Sequence, residues 1–569
     1  MSLLGALNTG KAALATHQAA LQVTSNNVAN AGDPNYTRQV ARLSPNPDYP
    51  TQTGFRIGTG VSLIGIERQI DEALEERIRG SMSENELANT RQSWLSRVES
   101  VFNPLGETPL STQLSSFFKN WSGLANTPTD TSQRQLVITS GESLANSLHS
   151  IRSQLSDLGD NAQTKLTQLA QDANGLADQI AKLNGQILAA EGASGSTANA
   201  LRDQRDAAIK ELSKLIDVTV QQNGNGTLNV SVGSTPLVLN DVNRGIATVR
   251  ESDGKTITTK LVIKADGSAI NASNGQIGAL QGVRTEITDI IDQLDTLTGN
   301  LIFELNHLHS QGQGSTTERT QGFAQVSATN AVSDANAALN SAAAGLDFKP
   351  TNGTFIVNVR RKSDGGIVSA STVKIDLSDS GGDSLNTLAG KLDALSGISA
   401  SIVGGKLQIE AEDKTNTEIT FAEDHSYVLA ALGINSFFTG TSAGDIAINS
   451  SLKSNPSLLA VGNKDGANAN ARAIAALNLE SLDRLGGTSL QGSYETMING
   501  IAASTDDATT NAEASQAVLD TLTSQREALS GVSLDEEAIN LIREQRAYQA
   551  AARIISMVDE MMKTLLQMV

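Results

Sequence analysis

Apolar residues recur every seven positions near both ends of the 569-residue chain. The positions are Leu7, Leu14, Leu21 and Val28 at the start, and Leu541, Tyr548, Ile555, Met562 and Val569 at the end, with Ala551, Val558 and Leu565 three residues later at a second seam position. A heptad pattern of this kind predicts a helix with a narrow apolar face that packs lengthwise on another helix. Both ends are therefore predicted to be helices that need a partner.

Further long helical patterns lie between the two ends. They cover roughly 84–102, 110–124, 131–158, 160–191, 198–216, 278–311, 468–482 and 494–530. Apolar stripes of this length pack side by side in a bundle. The middle of the chain is thus predicted to be largely a helical bundle.

Two segments change to alternating apolar and polar positions, which is the period of β-strands. Residues 217–275 and 346–444 contain short alternating runs interrupted by Asn-Gly and Asp-Gly, the strongest hairpin signal. The stretch "SLNTLAGKLDALSG" inside the second segment reads as one helix. Each segment leaves the helical pattern and returns to it, so both are predicted to be β inserts.

The pattern predicts an α+β multidomain fold, in which a long helical bundle built from both termini and the central helices carries two inserted, mainly-β domains. The predicted domains are a terminal helical domain (1–65 with 533–569), a helical bundle domain (66–216 with 276–345 and 445–532), a first β insert (217–275) and a second β insert with one helix (346–444).

Composition narrows the classes of partner. The formal net charge is −19, so the chain repels nucleic acid and anionic membrane, and neither is an expected partner. The chain has no Cys, which excludes disulfides, thiolate metal sites and a Cys nucleophile. The first residues, "MSLLGAL", lack the basic leader and apolar core of an ordinary secretory signal. A chain that leaves the cell without such a signal is expected to use another export route.

The sequence offers little catalytic chemistry. The five His are scattered, and His307 and His309 are two apart on a predicted helix, so they point apart and are predicted to be structural or surface residues. No G-x-S-x-G, H-E-x-x-H or Walker loop occurs. We expect no enzyme activity, no catalytic residues and no cofactor. Whether a Gly/Asn-rich loop around Asp445 or Asp465 binds calcium is left open.

The most distinctive early segment is "SNNVANAGDPNYTRQ", Ser25 to Gln39. Its apolar seam ends at Val28, and Gly32 is suited to a left-handed cap that stops the helix. The uncharged amides Asn26, Asn27 and Asn30 offer donors and acceptors that we expect to contact neighbouring subunits. Tyr36 and Arg38 are predicted to follow the turn and to belong to the same interface.

This segment resembles the N-terminal signature of the bacterial flagellar rod, hook and hook-associated proteins. "EEAINLIREQRAYQAAARIISMVDEMMKTLLQ" resembles their C-terminal helix, and residues 101–155 and 201–220 are similar to the helical region of the hook-associated members. Two positions depart from the family pattern: Asn35 stands where Gly is usual, and Glu544 where Tyr is common.

The resemblance implies a structural protein that polymerises through its terminal helices and joins hook to filament. It implies self-association in a helical assembly, and contacts with the hook protein and with a second hook–filament junction protein. It further implies type III export to the extracellular flagellum and a cytoplasmic export chaperone on the C-terminal helix. Two alternatives remain open here: another axial protein such as a hook protein, and a secreted adhesin or surface enzyme on a helical stalk.

Overall fold

The computed structural model describes residues 3–50, 56–102, 109–194, 196–252, 257–315, 320–378 and 381–568. The helices are α1 (Leu3–Ala29), α2 (Glu72–Phe102), α3 (Leu110–Asn126), α4 (Thr131–Ser194), α5 (Asn199–Leu215), α6 (Gly275–Ser310), α7 (Leu385–Asp393), α8 (Val428–Leu432), α9 (Ser450–Ser454), α10 (Ala469–Ala476), α11 (Leu490–Ser530) and α12 (Leu534–Met568), with single 3₁₀ turns at Ala342–Ala344, Pro456–Leu458 and Asp483–Leu485.

The strands are short and lie between the helices. They are β1 (Gln39–Pro45), β2 (Tyr49–Pro50), β3 (Arg56–Ile57), β4 (Val61–Arg68), β5 (Thr219–Gln222), β6 (Leu228–Val232), β7 (Thr235–Leu239), β8 (Val242–Asn243), β9 (Ile246–Ser252), β10 (Ile257–Ile263), β11 (Ala269–Ile270), β12 (Gly314–Ser315), β13 (Thr320–Gln321), β14 (Gln325–Ser327), β15 (Gly353–Arg361), β16 (Ile367–Ile375), β17 (Ile398–Val403), β18 (Lys406–Ala411), β19 (Thr417–Ala422), β20 (Phe438–Thr439) and β21 (Ala447–Ile448). Long helices with several small sheets confirm the predicted α+β class.

Several predicted helices have different bounds in the structure, and α2, predicted from residue 84, begins at Glu72. The patterns at 131–158 and 160–191 form the single helix α4, because the buried stripe continues through Leu155, Ala162 and Leu166 on both sides of Gly159. A glycine inside a helix costs only about 1 kcal/mol relative to alanine, so it does not break the helix. The pattern at 468–482 is helical only to Ala476; after it the backbone continues in three-residue turns, in which the Leu477 amide bonds the Ile474 carbonyl and the Leu479 amide bonds the Ala476 carbonyl.

The chain forms two compact units. Unit 1 comprises Met1–Trp94, Ala162–Val283 and Asp506–Val569, and unit 2 comprises Leu95–Asn161 and Arg284–Thr505. Unit 1 holds both terminal helices and the antiparallel pair β1–β4. The first predicted β insert also lies in unit 1, as a four-stranded sheet β5-β6-β7-β8 and a three-stranded sheet β11-β10-β9.

Unit 2 carries the second group of strands. The sheets β16-β15-β19 and β14-β18-β17 pack with α7 around one apolar core that runs from Val326 to Ile434. Strand β14 pairs with β18, with Val326 opposite Ile409, so it belongs to this core. It lies before residue 346, where the second insert was predicted to begin. The core therefore begins about twenty residues earlier than the alternating pattern indicated.

An aromatic cluster occupies the helical part of unit 2. Phe437 lies 5.5 Å from Trp121 and 5.7 Å from Phe117, ring centre to ring centre, so Phe437 and its neighbour Phe438 pack on α3. Both aromatics lie within the predicted second insert, 346–444. Their position shows that the chain returns to the helical part before residue 437. The division into four domains stays a prediction.

Candidate assembly interface

Helices α1 and α12 pack on each other antiparallel within unit 1. Gly10 of α1 faces Ile555 of α12, and a Cβ atom at Gly10 would lie 3.0 Å from the Ile555 Cγ1 atom. Further along, His17 Nδ1 lies 2.7 Å from Glu544 Oε2. Near the other end of the pair, Asn27 Nδ2 lies 3.1 Å from Glu537 Oε2. Residue numbers rise on one helix as they fall on the other.

The buried positions of α12 keep a strict seven-residue spacing. They are Glu537, Glu544, Ala551 and Val558. The last two belong to the predicted second seam position, and the first two extend the same register with carboxylates. A polar residue at a heptad position specifies the register of a helix pair at some cost in stability. The partners His17 and Asn27 on α1 therefore set which turns of the two helices meet.

The buried face of α1 is made of small and polar residues instead of the predicted leucines. It consists of Gly10, Thr16, Ala20, Val23, Thr24 and Asn27. At 100° per residue, Leu7, Leu14 and Leu21 lie roughly 100° around the helix from the centre of this face, and each is only half-buried. Small residues at the contact allow the close approach at Gly10, and they leave the leucines along its edge.

Asn27 is the centre of a buried hydrogen-bond network. The side chain is 1% exposed, and its Nδ2 donates to the Gln39 carbonyl oxygen at 2.9 Å and to Glu537 at 3.1 Å. Its Oδ1 accepts from the Gln39 amide at 3.0 Å and from the Tyr36 hydroxyl at 2.8 Å. Every polar atom of the side chain is thus used within the chain. We had expected Asn27 to contact neighbouring subunits, and the structure gives it this internal role instead.

Tyr36 and Arg38 join the same network. Arg38 Nη2 lies 2.7 Å from Glu537 Oε1, its Nη1 lies 3.0 Å from Glu536 Oε2, and its backbone amide bonds the Ser530 carbonyl. Burial, with the nearby charges of Asp203 and Glu537, raises the pKa of Tyr36 to about 12, so the hydroxyl stays protonated and remains a donor. Both side chains tie the turn after α1 to the start of α12.

The turn is also tied to other elements of unit 1 by ion pairs. Arg526 of α11 donates to the Pro34 carbonyl at 3.0 Å and pairs with Glu75 of α2 at 2.7 Å. Lys210 of α5 lies 2.8 Å from the same carboxylate. Burial alone would raise the pKa of Glu75, but these two cations outweigh it and lower that pKa. The segment from Ser25 to Gln39 therefore connects several elements of unit 1 through its side chains and its backbone.

The turn closes without the predicted left-handed glycine. Gly32 does not have a positive φ, and neither does Asn35, so the Asn at the usual Gly position carries no backbone strain. Helix α1 instead ends with Asn30 Nδ2 bonding the Asn26 carbonyl at 2.8 Å, while the Asp33 amide bonds the Asn30 carbonyl. The side chain of Asn30 thus performs the capping that had been expected of Gly32.

A second apolar surface runs along α12. We call it the lateral stripe, and it consists of Ile554, Met557, Met561, Leu565 and Met568, all exposed. Spacings of three and four residues place these side chains on one face, which adjoins the buried heptad face at Leu565, the heptad position after Val558. Because α1 begins at Leu3, the register of the pair places the residues of α12 after about 560 beyond the described part of α1.

Comparison with known proteins identifies relatives along the chain. The family described as flagellar hook-associated protein FlgK helical domain matches residues 95–323, and the family described as flagellar basal body rod FlgEFG protein C-terminal matches residues 524–568. Flagellar hook-associated protein 1 of Salmonella typhimurium strain LT2 is 26% identical over 572 residues, which cover 98% of this chain and 99% of that protein. Over nearly its whole length, the chain is similar to flagellar hook-associated protein 1.

Two further relatives agree with this assignment. Flagellar hook-associated protein 1 of Bacillus subtilis strain 168 is 26% identical over 566 residues, covering 98% of this chain and 96% of that protein. The solved structure of the flagellar hook junction protein FlgK from Burkholderia pseudomallei shares the fold, with a TM-score of 0.50 and 16% identity over 80% of this chain and all of that one. The chain is thus a structural protein of the flagellum, as the terminal motifs predicted.

The predicted interface residues divide into four groups. Asn27, Tyr36, Arg38 and Val558 are used inside unit 1, and Leu7, Leu14, Leu21, Asn30, Leu541, Tyr548 and Ile555 are partly covered there. Asn26, Val28, Met562 and Leu565 are exposed. Val569 lies outside the described residues. The exposed and half-covered members remain a proposed interface.

Sequence reasoning missed the burial of Glu537 and Glu544 and, apart from Leu565, the residues of the lateral stripe. The carboxylates occupy heptad positions, but a charged residue is ordinarily assigned to the solvent face, so their burial was not expected. The 3–4–4–3 spacing of the lateral stripe was visible in the sequence. It was passed over because the heptad pattern already accounted for the helix. Glu544, which stands where the family commonly has Tyr, is explained by its pairing with His17.

The remaining candidate sites serve the fold. Asp445 Oδ1 accepts from the Thr441 and Ser442 amides at 2.9 and 2.8 Å, which shapes its own loop. Within the described ranges, no group of three or more His, Cys, Asp or Glu residues could hold a metal ion. None of the helices in the described part of the chain combines the length and the apolarity needed to cross a bilayer.

Proposed function

We propose that this chain joins the flagellar hook to the filament by polymerising through its terminal helices, with the lateral stripe of α12 as the main subunit contact. The observation that carries the proposal is the exposure of five large apolar side chains on one face of a helix near the end of the chain. Contiguous exposed apolar surface of this kind marks a protein interaction site. The names of the relatives, hook-associated protein 1 and hook junction protein, support a place at this junction.

The pairing of α1 with α12 determines which surfaces of the two helices remain exposed for contact with other subunits. The buried polar contacts at His17 and Asn27 hold the two helices in one register, so they present a fixed joint surface. The half-buried Leu7, Leu14 and Leu21 form the outer edge of this surface on α1, and the lateral stripe forms it on α12. Burying one such side chain fully contributes about 1.5–3 kcal/mol, so several together favour a stable assembly.

The finer parts of the proposal concern partners and export. The chain contacts other copies of itself and the hook protein, and presents a surface to a second hook–filament junction protein. Its route to the extracellular flagellum is the type III export apparatus, and a cytoplasmic chaperone covers the apolar end of α12 before export. Asn26 and Val28, both exposed beside the internal network, contribute to the same interface. The role is structural, and no enzymatic step is proposed.

The test places a charge on the proposed contact. Leu565→Asp adds a carboxylate to a surface that must lose water on assembly, at a cost of several kcal/mol as an order of magnitude. We expect the variant to sediment with purified hooks at least a hundredfold more weakly than the wild type. The matched control is Gln549→Asp, another exposed position of α12 that lies off the stripe. It should bind hooks normally.

Two outcomes contradict the proposal. If Leu565→Asp binds hooks as well as the wild type, the lateral stripe is not an interface. If Gln549→Asp fails equally, the loss reflects general charge on α12 and not the stripe. Circular dichroism melts of both variants should match the wild type, because each substituted side chain is exposed.

A further inference from the structure

The methionines of this chain are concentrated at one place. Four of the seven, Met557, Met561, Met562 and Met568, lie within twelve residues at the end of α12, and we call them the methionine cluster. Their exposed fractions are 60%, 44%, 36% and 79%. Met497 on α11, by contrast, is 6% exposed. Among the methionines of the described residues, those most open to solvent are therefore on or beside the proposed contact surface.

Exposed thioethers are oxidised by peroxides. The sulfur attacks the peroxide, the O–O bond breaks, one oxygen forms an S–O bond and the other leaves as water. Sulfur is oxidised by two electrons and the peroxide is reduced by two. The product, methionine sulfoxide, is polar and accepts strong hydrogen bonds, and it disrupts interfaces rich in methionine. Reductases for each sulfoxide epimer reverse the reaction.

We propose that the methionine cluster is an oxidation site that decides whether a subunit can assemble. This inference rests on the proposed function of the lateral stripe, to which Met557, Met561 and Met568 belong, while Met562 occupies the adjoining heptad seam. A subunit oxidised by a hydroperoxide before assembly carries up to four sulfoxides on a surface that must be dry in contact, since polar groups without partners oppose burial. After assembly the contact itself excludes the oxidant.

The flexibility of the methionine side chain suits a surface that contacts more than one partner. A flexible, unbranched side chain adapts to partners of different shape, which suits a surface that must fit both an export partner and other subunits. Leucine would give similar apolar area without this adaptability and without sensitivity to oxidation. Methionine at four exposed positions thus combines adaptable docking with a chemical weakness that leucine lacks.

The experiment treats the purified full-length chain with hydrogen peroxide and maps each methionine by mass spectrometry. We expect the cluster to be oxidised at least tenfold faster than Met497. The oxidised chain should bind purified hooks at least tenfold more weakly, and a mixture of the two sulfoxide reductases should restore binding. A variant with all four cluster residues changed to Leu should bind hooks before and after treatment. The matched control, Met82→Leu with Met497→Leu, should stay as sensitive as the wild type.

The possible failures are distinguishable. If the untreated wild type does not bind hooks, the proposed function fails and this inference fails with it. If the untreated chain binds and the oxidised chain binds equally well, only this inference is overturned. It is also overturned if Met497 reacts as fast as the cluster, or if the four-leucine variant still loses binding on treatment. Reversal by the reductases tests the wild type directly, so the result does not depend on how that variant folds.

Discussion

Replacing Asn27 by Ala removes the centre of the network that joins α1, β1 and α12. The amide makes four hydrogen bonds, two with the Gln39 backbone, one with the Tyr36 hydroxyl and one with Glu537. Alanine can replace none of them. It favours the helix slightly more than asparagine, so any loss of stability comes from the network and not from helix propensity.

The magnitude follows from the groups left without partners. The Gln39 amide and carbonyl lose their Asn27 contacts, and an unpaired buried polar group costs about 1–3 kcal/mol. Glu537 keeps Arg38 at 2.7 Å, so its loss is smaller, and the Tyr36 hydroxyl is only partly buried. We therefore expect the contact between α1 and α12 to weaken by about 3 kcal/mol, which is roughly a hundredfold in the opening equilibrium.

The assay is amide hydrogen exchange followed by mass spectrometry, which reports local opening of separate parts of a chain. Peptides from α1 and α12 should exchange about a hundredfold faster in Asn27→Ala, while peptides from the core of unit 2 should be unchanged. The control is Asn26→Ala, because Asn26 is the same residue type one position earlier and is exposed. Its exchange should match the wild type.

The reasoning is refuted if Asn27→Ala and Asn26→Ala show the same protection in α1 and α12. That result would mean that the hydrogen bonds around Asn27 contribute no net stability. It would also restore the original hypothesis that Asn27 contacts neighbouring subunits. Binding of the Asn27→Ala variant to purified hooks would then test that hypothesis. Loss of hook binding without loss of protection would support that hypothesis.

Three further predictions follow from the packing. Gly10→Val should push α12 away, because even a Cβ atom at this position would lie 3.0 Å from Ile555. Hydrogen exchange should show the pair of α1 and α12 destabilised by about 1–3 kcal/mol. The control Gly32→Val should not destabilise the pair, because no atom lies within 4 Å of the added Cβ. His309 is buried between the Asn435 carbonyl and the Ala460 amide, and burial lowers its pKa from 6.5 to about 4. As pH falls from 6.5 to 4, the unfolded chain therefore binds a proton at His309 that the folded chain does not. Over this range the free energy of unfolding of the wild type, measured by denaturant titration, should fall by about 3 kcal/mol relative to that of His309→Gln. Equal dependence of the two unfolding free energies on pH would contradict this. Deleting 323–434 with a short Gly/Ser linker should leave a chain that binds hooks, since the aromatic cluster at Phe437 and Phe438 is kept; a folded deletion variant that cannot bind would show an essential contact in the removed region.

Much of the fold could be predicted because its signals are local. The heptad spacing marked both terminal helices, and Ala551 and Val558 are buried as that register requires. The Asn-Gly and Asp-Gly turns marked the strands of the first insert, with Asn223–Gly226 between β5 and β6. The segment 384–397 contains α7, as its period indicated. Each of these signals depends on neighbours within one or two turns of the chain.

The parts that failed depend on residues far apart in the sequence. Strand β14 lies outside the predicted insert because its partner β18 is about eighty residues away. Phe437 and Phe438 lie inside the predicted second insert, although they pack on α3, more than three hundred residues earlier. The apolar periodicity of one segment carries no information about which distant segment it will pack against.

The sequence by itself determined that both ends are helices, that strands lie within 217–275 and 346–444, and that the terminal motifs resemble those of flagellar axial proteins. Only the tertiary structure decided which face of each terminal helix is used internally. Burying Glu537 and Glu544 is favourable only because Arg38, Asn27 and His17 arrive opposite them. These pairs join positions roughly five hundred residues apart in the sequence. They turn Asn27 inward and leave the lateral stripe and the end of α12 as apolar surface presented to other molecules.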